Sequence, residues 1–313
     1  MAFELTILGC GSATPTSTQH PTAQHLQIAE RFFLIDCGEG TQQQLRKYKV
    51  RMSKINRIFI SHMHGDHYFG LIGLISSYHL FNRKTTLHIY GPPELEEVIR
   101  VQLRASNTRL VYPLVFHHTQ TETEKVIFED KKVEVKSFPL KHSVPVTGFL
   151  FKEKIKDRNM LADKIDEFNI PHYAINRIKK GDDFITDDGR LIPNNQLTKA
   201  PLAPMSYAFC TDTAYMEKTA LFVANVDLLY HESTFLKEEI ALARKTRHST
   251  ALQAAKVASA ANAKKLLLGH YSVRYEDNSL FQKEAQVIFK NTIPAKEGMR
   301  IIASSTKFEM EEL

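Results

Sequence analysis

Short apolar runs, separated by glycine, proline and charged residues, recur from one end of the chain to the other. Runs of this kind, rich in Ile, Leu, Val, Phe and Tyr, are typical of β-strands. The predicted strands are FELTILGCG, HLQIAERFFLIDCGEG, INRIFISH, TTLHIYG, VEVKSFPLKH, TGFLFKE, YAFCTDT, DLLYHEST, KKLLLGH and MRIIAS.

Other segments have apolar residues at three- and four-residue spacing, which predicts helices with one apolar face. These segments are TQQQLRKYK, FGLIGLISSYHLF, ELEEVIRVQLRAS and STALQAAKVASAANA. The last begins after Ser249 and Thr250, which are suitable N-cap residues. Helices mixed with strands favour an α/β fold in which helices cover sheets.

The stretch from residue 152 to residue 203 breaks this pattern. It holds many charged residues, few aromatic residues and the turn-like pieces KGDD and DDG. A segment this long with little core signal is usually functional or mobile. We therefore predict one domain over residues 1–313, with residues 152–203 as an arm inserted within it.

Composition places the chain among ordinary globular proteins. Of its 313 residues, 43% are hydrophobic and 24% are charged. The N-terminus lacks the pattern of a signal peptide, no apolar run is long enough to span a membrane, and the three cysteines show no CxxC spacing. We therefore expect a cytoplasmic protein without membrane association. The net charge of +6 is compatible with a polyanionic partner but does not require one.

The motif His62-Met63-His64-Gly65-Asp66-His67 carries the strongest chemical signal. Imidazole and carboxylate groups are the ligands that zinc favours, besides cysteine. Residues two apart in extended chain point the same way, so His62 and His64 can share one metal ion. After a turn at Gly65, Asp66 and His67 can face a second ion.

Several predicted strands end directly before a residue that can bind a metal. RIFIS precedes His62, KSFPLK precedes His142, YAFCT precedes Asp212 and KLLLG precedes His270. In layered α/β proteins, functional side chains collect in loops at one end of the strands, so these four endings indicate a single site. By local pattern alone, the pair His117-His118 after PLVF competes with His142.

The order of these motifs resembles that of the metallo-β-lactamase superfamily, and within it the short form of the ribonuclease Z family. The resemblance covers nearly the whole chain, and the later motifs make it specific. The matching pieces are GCGSATP, FLIDCGEGTQQQL, FISHMHGDHYFGLIGL, PLKHSVPVTGF, FCTDT, YHESTF, RHSTALQAA and LLLGHYSVRY.

The resemblance implies an αββα four-layer sandwich and two Zn²⁺ ions per subunit. One ion would be held by His62, His64 and His142, which settles the choice against His117 and His118. The other ion would be held by Asp66, His67 and His270, and Asp212 would bridge the two ions.

The resemblance also implies an endoribonuclease that removes the 3′ trailer from precursor tRNA. Two metal ions lower the pKa of a shared water and stabilise charge on a phosphate. Asp66 is expected to orient that water, and His248 to protonate the leaving oxygen with Glu232 orienting it. The tRNA would keep a 3′-hydroxyl and the trailer a 5′-phosphate.

Members of that family commonly work as homodimers, and their inserted arm grips the body of tRNA. Here the family's glycine- and proline-rich arm motif is reduced to Ile170-Pro171-His172-Tyr173 followed by RIKKG. Basic residues flank three of the motifs, which favours a phosphate-lined cleft at the metal site. These residues are Arg46, Lys47, Lys49, Arg51, Lys54 and Arg57 before HxHxDH, Arg244, Lys245 and Arg247 before His248, and Arg274 after His270.

Two other functions fit parts of this pattern. A hydrolase of small esters or phosphodiesters could use the same metal ligands, but it would need neither the arm nor the basic flanks. A non-catalytic RNA-binding relative would be expected to have lost part of the ligand set, which is complete here.

Overall fold

The computed structural model describes residues 3–313. Its strands are β1 (Phe3–Gly9), β2 (Ala23–Ile28), β3 (Arg31–Ile35), β4 (Arg57–Phe59), β5 (Leu87–Gly91), β6 (Leu114–His118), β7 (Lys125–Glu129), β8 (Val133–Pro139), β9 (Thr147–Glu153), β10 (Asn159–Met160), β11 (Phe184–Ile185), β12 (Leu191–Ile192), β13 (Thr198–Lys199), β14 (Ser206–Cys210), β15 (Leu228–Glu232), β16 (Lys265–Gly269), β17 (Thr292–Pro294), β18 (Met299–Ala303) and β19 (Phe308–Glu312). Its α-helices are α1 (Thr41–Lys47), α2 (Gly65–Tyr68), α3 (Leu71–Leu80), α4 (Pro93–Ala105), α5 (Ala162–Glu167), α6 (His172–Lys179), α7 (Asn194–Leu197), α8 (Thr219–Phe222), α9 (Ile240–Thr246), α10 (Ala251–Ala260) and α11 (Ser279–Gln286).

Most of the strands belong to two large mixed sheets. The first has eight strands in the order β19-β18-β1-β2-β3-β4-β5-β6, and the second has seven in the order β17-β16-β15-β14-β9-β8-β7. Strands β3 to β6 are parallel to one another, and so are β14 to β17. Each sheet thus combines a parallel part with an antiparallel part.

The two sheets pack face to face through alternate residues of their strands. In β1, Leu5 and Ile7 are fully buried in the core between the sheets. Aromatic rings join the two sheets directly, because Phe59 of β4 lies 5.5 Å from Phe149 and 5.2 Å from Phe151 of β9, measured between ring centroids. Burial of these rings contributes to the hydrophobic stabilisation of the domain.

Helices cover the outer face of each sheet. Leu45 of α1, Leu74 of α3 and Ile99 of α4 belong to a second core outside the first sheet. Ala254 of α10 and Phe281 of α11 are buried on the other sheet, where these helices contact β15, β16 and β17. The layers are therefore helix, sheet, sheet and helix, and the predicted αββα architecture is confirmed.

One predicted strand is a hairpin. The run HLQIAERFFLIDCGEG forms β2 and β3, which pair in antiparallel fashion. Ala29 and Glu30 both adopt positive φ angles, 47° and 65°, as a two-residue type I′ turn requires. The sequence did not indicate this turn, because apolar residues continue through both strands and neither Ala nor Glu is a typical turn residue.

Residues 159–199 form small elements of their own. Asn159 pairs with Lys199 across β10 and β13, so the segment leaves and rejoins the body at one place. Its buried side chains form a cluster separate from both large cores, made of Ile170, Ala174, Ile178, Ile192 and Leu197. Among residues 3–313, none of the helices has the length and apolar content needed to cross a lipid bilayer.

Candidate metal centre

The loops after several strands bring the predicted ligand residues to one place. His62 follows β4, and His64 is the N-cap of the short helix α2, whose first turn contains Asp66 and His67. The other three predicted ligands follow strands of the second sheet: His142 after β8, Asp212 after β14 and His270 after β16. The cluster therefore joins the two sheets at one end of the sandwich.

Four of these side chains form a first group. Ligand atoms of His62, His64, His142 and Asp212 all lie within 4.8 Å of one another. Nε2 of His142 is 3.3 Å from Nδ1 of His64, and Oδ2 of Asp212 is 3.6 Å from Nε2 of both His62 and His142. Three imidazoles and a carboxylate oxygen match the donors and the number that zinc accepts.

A second group lies on the other side of Asp212. Asp66, His67 and His270 also present ligand atoms within 4.8 Å of one another. Oδ1 of Asp212 is 3.2 Å from Nε2 of His67 and 3.0 Å from Nε2 of His270. The two oxygens of Asp212 therefore face different groups, which is the arrangement of a bridging ligand.

Hydrogen bonds on the outward-facing ring nitrogens orient the histidines so that their other ring nitrogens point into these groups. Nδ1 of His67 donates to Asp36 at 2.6 Å, and Nδ1 of His270 donates to Thr234 at 2.9 Å. Nε2 of His62, His67 and His270 is buried and has no hydrogen-bond partner, although carboxylate oxygens lie nearby. Unpaired buried nitrogens are costly, and a metal ion would satisfy them, so the residues present fit metal binding.

The negative charge of the aspartates in this cluster is balanced by the neighbouring histidines. Burial would raise the pKa of Asp212, but His270, His67 and His62 hold that pKa well below its usual range. Burial would lower the pKa of His270, but Asp212 and Asp66 raise it to about 10. Burial would also raise the pKa of Asp66, but His67 and His270 lower it, so both carboxylates are ionised at neutral pH, as metal ligands must be.

His248 and Glu232 lie beside the two groups. The His248 ring is 4.8 Å from that of His142 and 5.4 Å from that of His270, and its Nδ1 donates to Glu232 at 2.8 Å. Glu232 is fully buried and also accepts from the backbone N–H groups of Thr213 and Thr234. Burial would lower the pKa of His248, but Glu232 raises it above its ordinary value.

An open cleft of about 890 Å³ gives access to the centre. Asp66 and His248 both line it, and so do Lys245 and Arg247. The guanidinium of Arg247 is held by the carbonyl oxygen of His142 at 2.7 Å. The cleft thus combines the candidate metal ligands with positive charge.

The basic run before HxHxDH does not reach this cleft, contrary to the prediction from its position. Lys49, Arg51 and Lys54 line a separate cavity on the outer face of the first sheet. The guanidinium of Arg57 stacks on Phe128 at 4.1 Å instead. Strand β4 begins at Arg57 and runs toward His62, so the basic run lies before the strand and away from the cleft.

The competing histidines also lie elsewhere. His117 stacks on Tyr90 at 4.3 Å and its Nε2 is 3.0 Å from Nδ1 of His88, while His118 pairs with Glu96 at 2.8 Å. Sequence reasoning missed Asp36, which orients His67. The only signal for it is its position at the end of a predicted strand, in FLIDCGEG.

The fold and this cluster of histidines and aspartates define a protein of the metallo-β-lactamase class. In structure, the chain is similar to the short form of human tRNase Z, with a TM-score of 0.70, 27% identity and coverage of 95% of this chain and 98% of that one. It is also similar to a metallo-beta-lactamase fold protein of Bacillus subtilis, with a TM-score of 0.67, 19% identity and coverage of 97% and 100%.

Sequence comparison narrows this class to a family. Ribonuclease Z of Bacteroides fragilis is 45% identical over 299 residues, covering 96% of this chain and 98% of the relative. Ribonuclease Z of Phocaeicola vulgatus is 45% identical over 305 residues, covering 97% and 99%. The chain belongs to the ribonuclease Z family. Residues 3–180 also match the family described as Anti-Pycsar protein Apyc1. This part of the chain therefore belongs to that family as well.

Proposed function

We propose that this protein is a zinc-dependent endoribonuclease that removes the 3′ trailer from precursor tRNA. The tRNA would keep a 3′-hydroxyl and the trailer would carry a 5′-phosphate. The observation that carries the proposal is Asp212, whose two oxygens face two separate groups of candidate ligands. Relatives that match nearly the whole chain are named ribonuclease Z, which supports the substrate.

Two zinc ions per subunit would occupy the two groups. His62, His64 and His142 would hold the first ion, and Asp66, His67 and His270 the second, with Asp212 shared. Bound in this way, the ions would lower the pKa of a water and stabilise negative charge on the phosphate. The unpaired Nε2 atoms of three buried histidines support this loading.

Asp66 is the candidate general base. Its Oδ2 accepts from the backbone N–H of Ala13 at 2.9 Å, which fixes the carboxylate at the floor of the cleft. The low pKa of Asp66, to which His67 contributes against the effect of burial, keeps the carboxylate ionised. A fixed, ionised carboxylate that lines the cleft can orient a water, and it can accept the proton of that water where bound metal ions lower the water's pKa.

His248 is the candidate general acid. Its hydrogen bond to Glu232 orients the ring and favours the protonated form. A protonated imidazole that lines the cleft can donate to the leaving oxygen of the RNA chain. Glu232 is a positioning residue, since it is fully buried.

The segment of residues 159–199, within the predicted arm of residues 152–203, would grip the body of tRNA. The separate core of this segment and its single attachment point support an appendage. Its helix α6 exposes Tyr173 and carries Arg177 and Lys179 near its C-terminus. A basic and aromatic helix suits contact with an RNA recognised by its shape.

We also propose that the protein is a cytoplasmic homodimer. Leu80 and Phe81, at the C-terminal end of α3, are 78% and 59% exposed. Large exposed apolar side chains of this kind mark interaction surfaces. In a twofold symmetric dimer, the same interface would cover Leu80 and Phe81 of both subunits. Light scattering distinguishes the dimer from a monomer.

Cleavage of a precursor tRNA by the zinc-loaded protein tests the function. We expect cutting at the 3′ side of the tRNA body, with a 3′-hydroxyl on the product, and loss of this activity in Asp66→Ala by at least about 100-fold. Circular dichroism should show the variant folded. Hydrolysis of a bis-aryl phosphodiester without cleavage of the RNA would instead indicate the small-molecule hydrolase, and retained cleavage in Asp66→Ala would remove its assigned role.

A further inference from the structure

Three polar side chains form a row on the outer face of the first sheet. In the antiparallel register, Thr6 of β1 lies opposite both His25 of β2 and Arg300 of β18. Residues directly opposite one another project to the same face of a sheet. Leu5 and Ile7, on either side of Thr6, are buried in the core between the sheets, so the row faces away from that core.

A cavity of about 550 Å³ lies above this row, and we name it the outer-sheet cavity. Its floor includes His25 and Arg300, and its wall includes Lys49, Arg51 and Lys54 from the loop between α1 and β4. These three are among the six basic residues that the sequence pattern placed near the candidate metal centre. None of the residues that line the outer-sheet cavity lines the metal cleft.

The floor of the outer-sheet cavity contains polar atoms without partners. His25 is 4% exposed, and neither Nδ1 nor Nε2 of its ring makes a hydrogen bond. Beneath the floor, Oγ1 of Thr6 is also buried without a hydrogen bond, and Nε of Arg300 lies 3.3 Å from Glu4 without forming one. Such groups rarely remain unpaired in folded proteins, so their concentration in one row indicates a bound polar ligand.

The charge around the cavity favours an anion. Within residues 3–313, Lys49, Arg51 and Lys54 take part in no ion pair, so their charge is available to a ligand. The acidic residues of the wall are already engaged, because Glu30 pairs with Lys132 and Glu4 lies 3.3 Å from Arg300. Phe32, stacked on His25 at 6.1 Å, adds an aromatic side chain to the same wall.

We propose that the outer-sheet cavity binds a small phosphorylated molecule of the size of a nucleoside monophosphate. Phosphate oxygens would accept hydrogen bonds from Arg51, Lys54 and His25, and Phe32 would contact the apolar part of the ligand. The volume lies within the range of small-molecule sites, and a closed floor suits a small ligand better than an RNA backbone. This site is independent of the proposed nuclease activity.

Isothermal titration of the zinc-loaded protein with AMP and with inorganic phosphate tests the proposal. The test variant is Arg51→Gln/Lys54→Gln. The matched control is Arg46→Gln/Lys47→Gln, which removes two cations from the same segment that lie over Phe81 and Tyr48 and do not line the cavity. Binding in the metal cleft is common to all three proteins, so a difference between them reports on the outer-sheet cavity.

We expect the test variant to bind AMP at the outer site at least tenfold more weakly than the wild type, and the control to remain within twofold. Cleavage of precursor tRNA should be unchanged in both variants. Equal AMP binding in all three proteins would overturn the proposal, and so would an equal loss in the control. Loss of RNA cleavage without loss of AMP binding would show an RNA contact instead.

Nuclear magnetic resonance of the histidine rings gives a second, local readout. Addition of AMP should shift the ring nitrogen signals of His25 in the wild type but not in Arg51→Gln/Lys54→Gln. His25 signals that do not respond in the wild type would show that ordered water alone satisfies the ring, and would overturn the proposal.

Discussion

Three histidines of the candidate metal centre are held by hydrogen bonds on the ring nitrogen that faces away from it. His67 relies on Asp36, His270 on Thr234, and His142 on the carbonyl oxygen of Arg247. Each bond fixes a tautomer and leaves the other ring nitrogen free to bind a metal. The centre is therefore organised by residues that are not themselves ligands.

Residues of that supporting kind are difficult to find in a sequence. The seven ligand residues could be proposed because HxHxDH and four strand endings carry a recognisable pattern. Asp36 lies at the end of a predicted strand and Thr234 lies in the motif YHESTF, but neither position indicates which histidine it orients, since they lie 31 and 36 positions from those histidines. Only the paired sheets bring these side chains together, and the local sequence does not encode that pairing.

The buried histidine at position 25 makes stability depend on pH. Burial lowers the pKa of His25 to about 4, and nearby Arg300 contributes in the same direction. In the unfolded chain the pKa of this histidine is about 6.5, so between about pH 4 and 6.5 the unfolded chain binds more protons than the folded chain. The contribution of His25 to the free energy of unfolding is therefore complete above about pH 6.5 and is lost as the pH falls toward 4. The loss should be on the order of 3 kcal/mol.

Denaturant unfolding between pH 4 and 7, in phosphate-free buffer, measures this effect as the difference between the wild type and His25→Gln. Taking the difference removes the contribution of the metal ligands, which both proteins share. A difference in the free energy of unfolding that stays constant across this range would show that His25 titrates normally.

At the scale of elements, backbone hydrogen bonds at the junction between α2 and α3 fix the position of the loop that carries His64, Asp66 and His67. The N–H of Gly70 donates to the carbonyl oxygen of Cys37 at 2.9 Å, and the N–H of Cys37 donates to the carbonyl oxygen of His67 at 2.8 Å. A Cβ atom on Gly70 would lie 2.2 Å from the carbonyl oxygen of Gly38, far inside van der Waals contact. The close approach of the two backbones therefore requires glycine.

Gly70→Ala should separate these backbones and move Asp36, which orients His67. We expect a loss of about 1–3 kcal/mol in the free energy of unfolding from overpacking, and a loss of at least about tenfold in cleavage rate. Denaturant unfolding and the precursor tRNA assay measure the two effects.

The matched control for that variant is Gly73→Ala, in the first turn of α3, which Gly70 precedes as the N-cap. A Cβ atom there would meet only Oε1 of Gln42, at an ordinary 3.7 Å, so the change should stabilise the helix by up to about 1 kcal/mol. Equal effects of Gly70→Ala and Gly73→Ala on activity would refute the argument from close packing.

Elements with strong periodicity were predictable from the sequence, and elements at the edges of sheets were not. The segment STALQAAKVASAANA forms α10 with a capping box between Thr250 and Gln253, near the start expected from its N-cap residues. Strand β19 has the sequence FEMEE, with exposed glutamates at the edge of the first sheet. Its pairing with β18 overrides a sequence that has little β propensity.

For the whole molecule, the single attachment point of residues 159–199 allows the proposed arm to be removed cleanly. Because Asn159 and Lys199 are paired, a short Gly-Ser linker can replace residues 161–197 without disturbing the two large cores. We expect cleavage of precursor tRNA to fall at least about tenfold, while hydrolysis of a bis-aryl phosphodiester stays within about twofold, since the arm would bind only the tRNA body. Comparable losses on both substrates would argue against a role in substrate binding.

The candidate metal centre also links the two halves of the sandwich, because His62, His64, Asp66 and His67 belong to the side of the first sheet and the other candidate ligands to the second. Metal that binds only the folded chain stabilises it by about 4 kcal/mol per site at a free concentration 1,000 times its Kd. We therefore expect a chelator to lower the thermal midpoint of the zinc-loaded protein by on the order of 10 °C, and added zinc to restore it. Asp212→Ala, which removes the shared ligand, should show a much smaller shift. A thermal midpoint that is the same with chelator and with zinc would mean that the seven side chains do not hold metal in the folded protein.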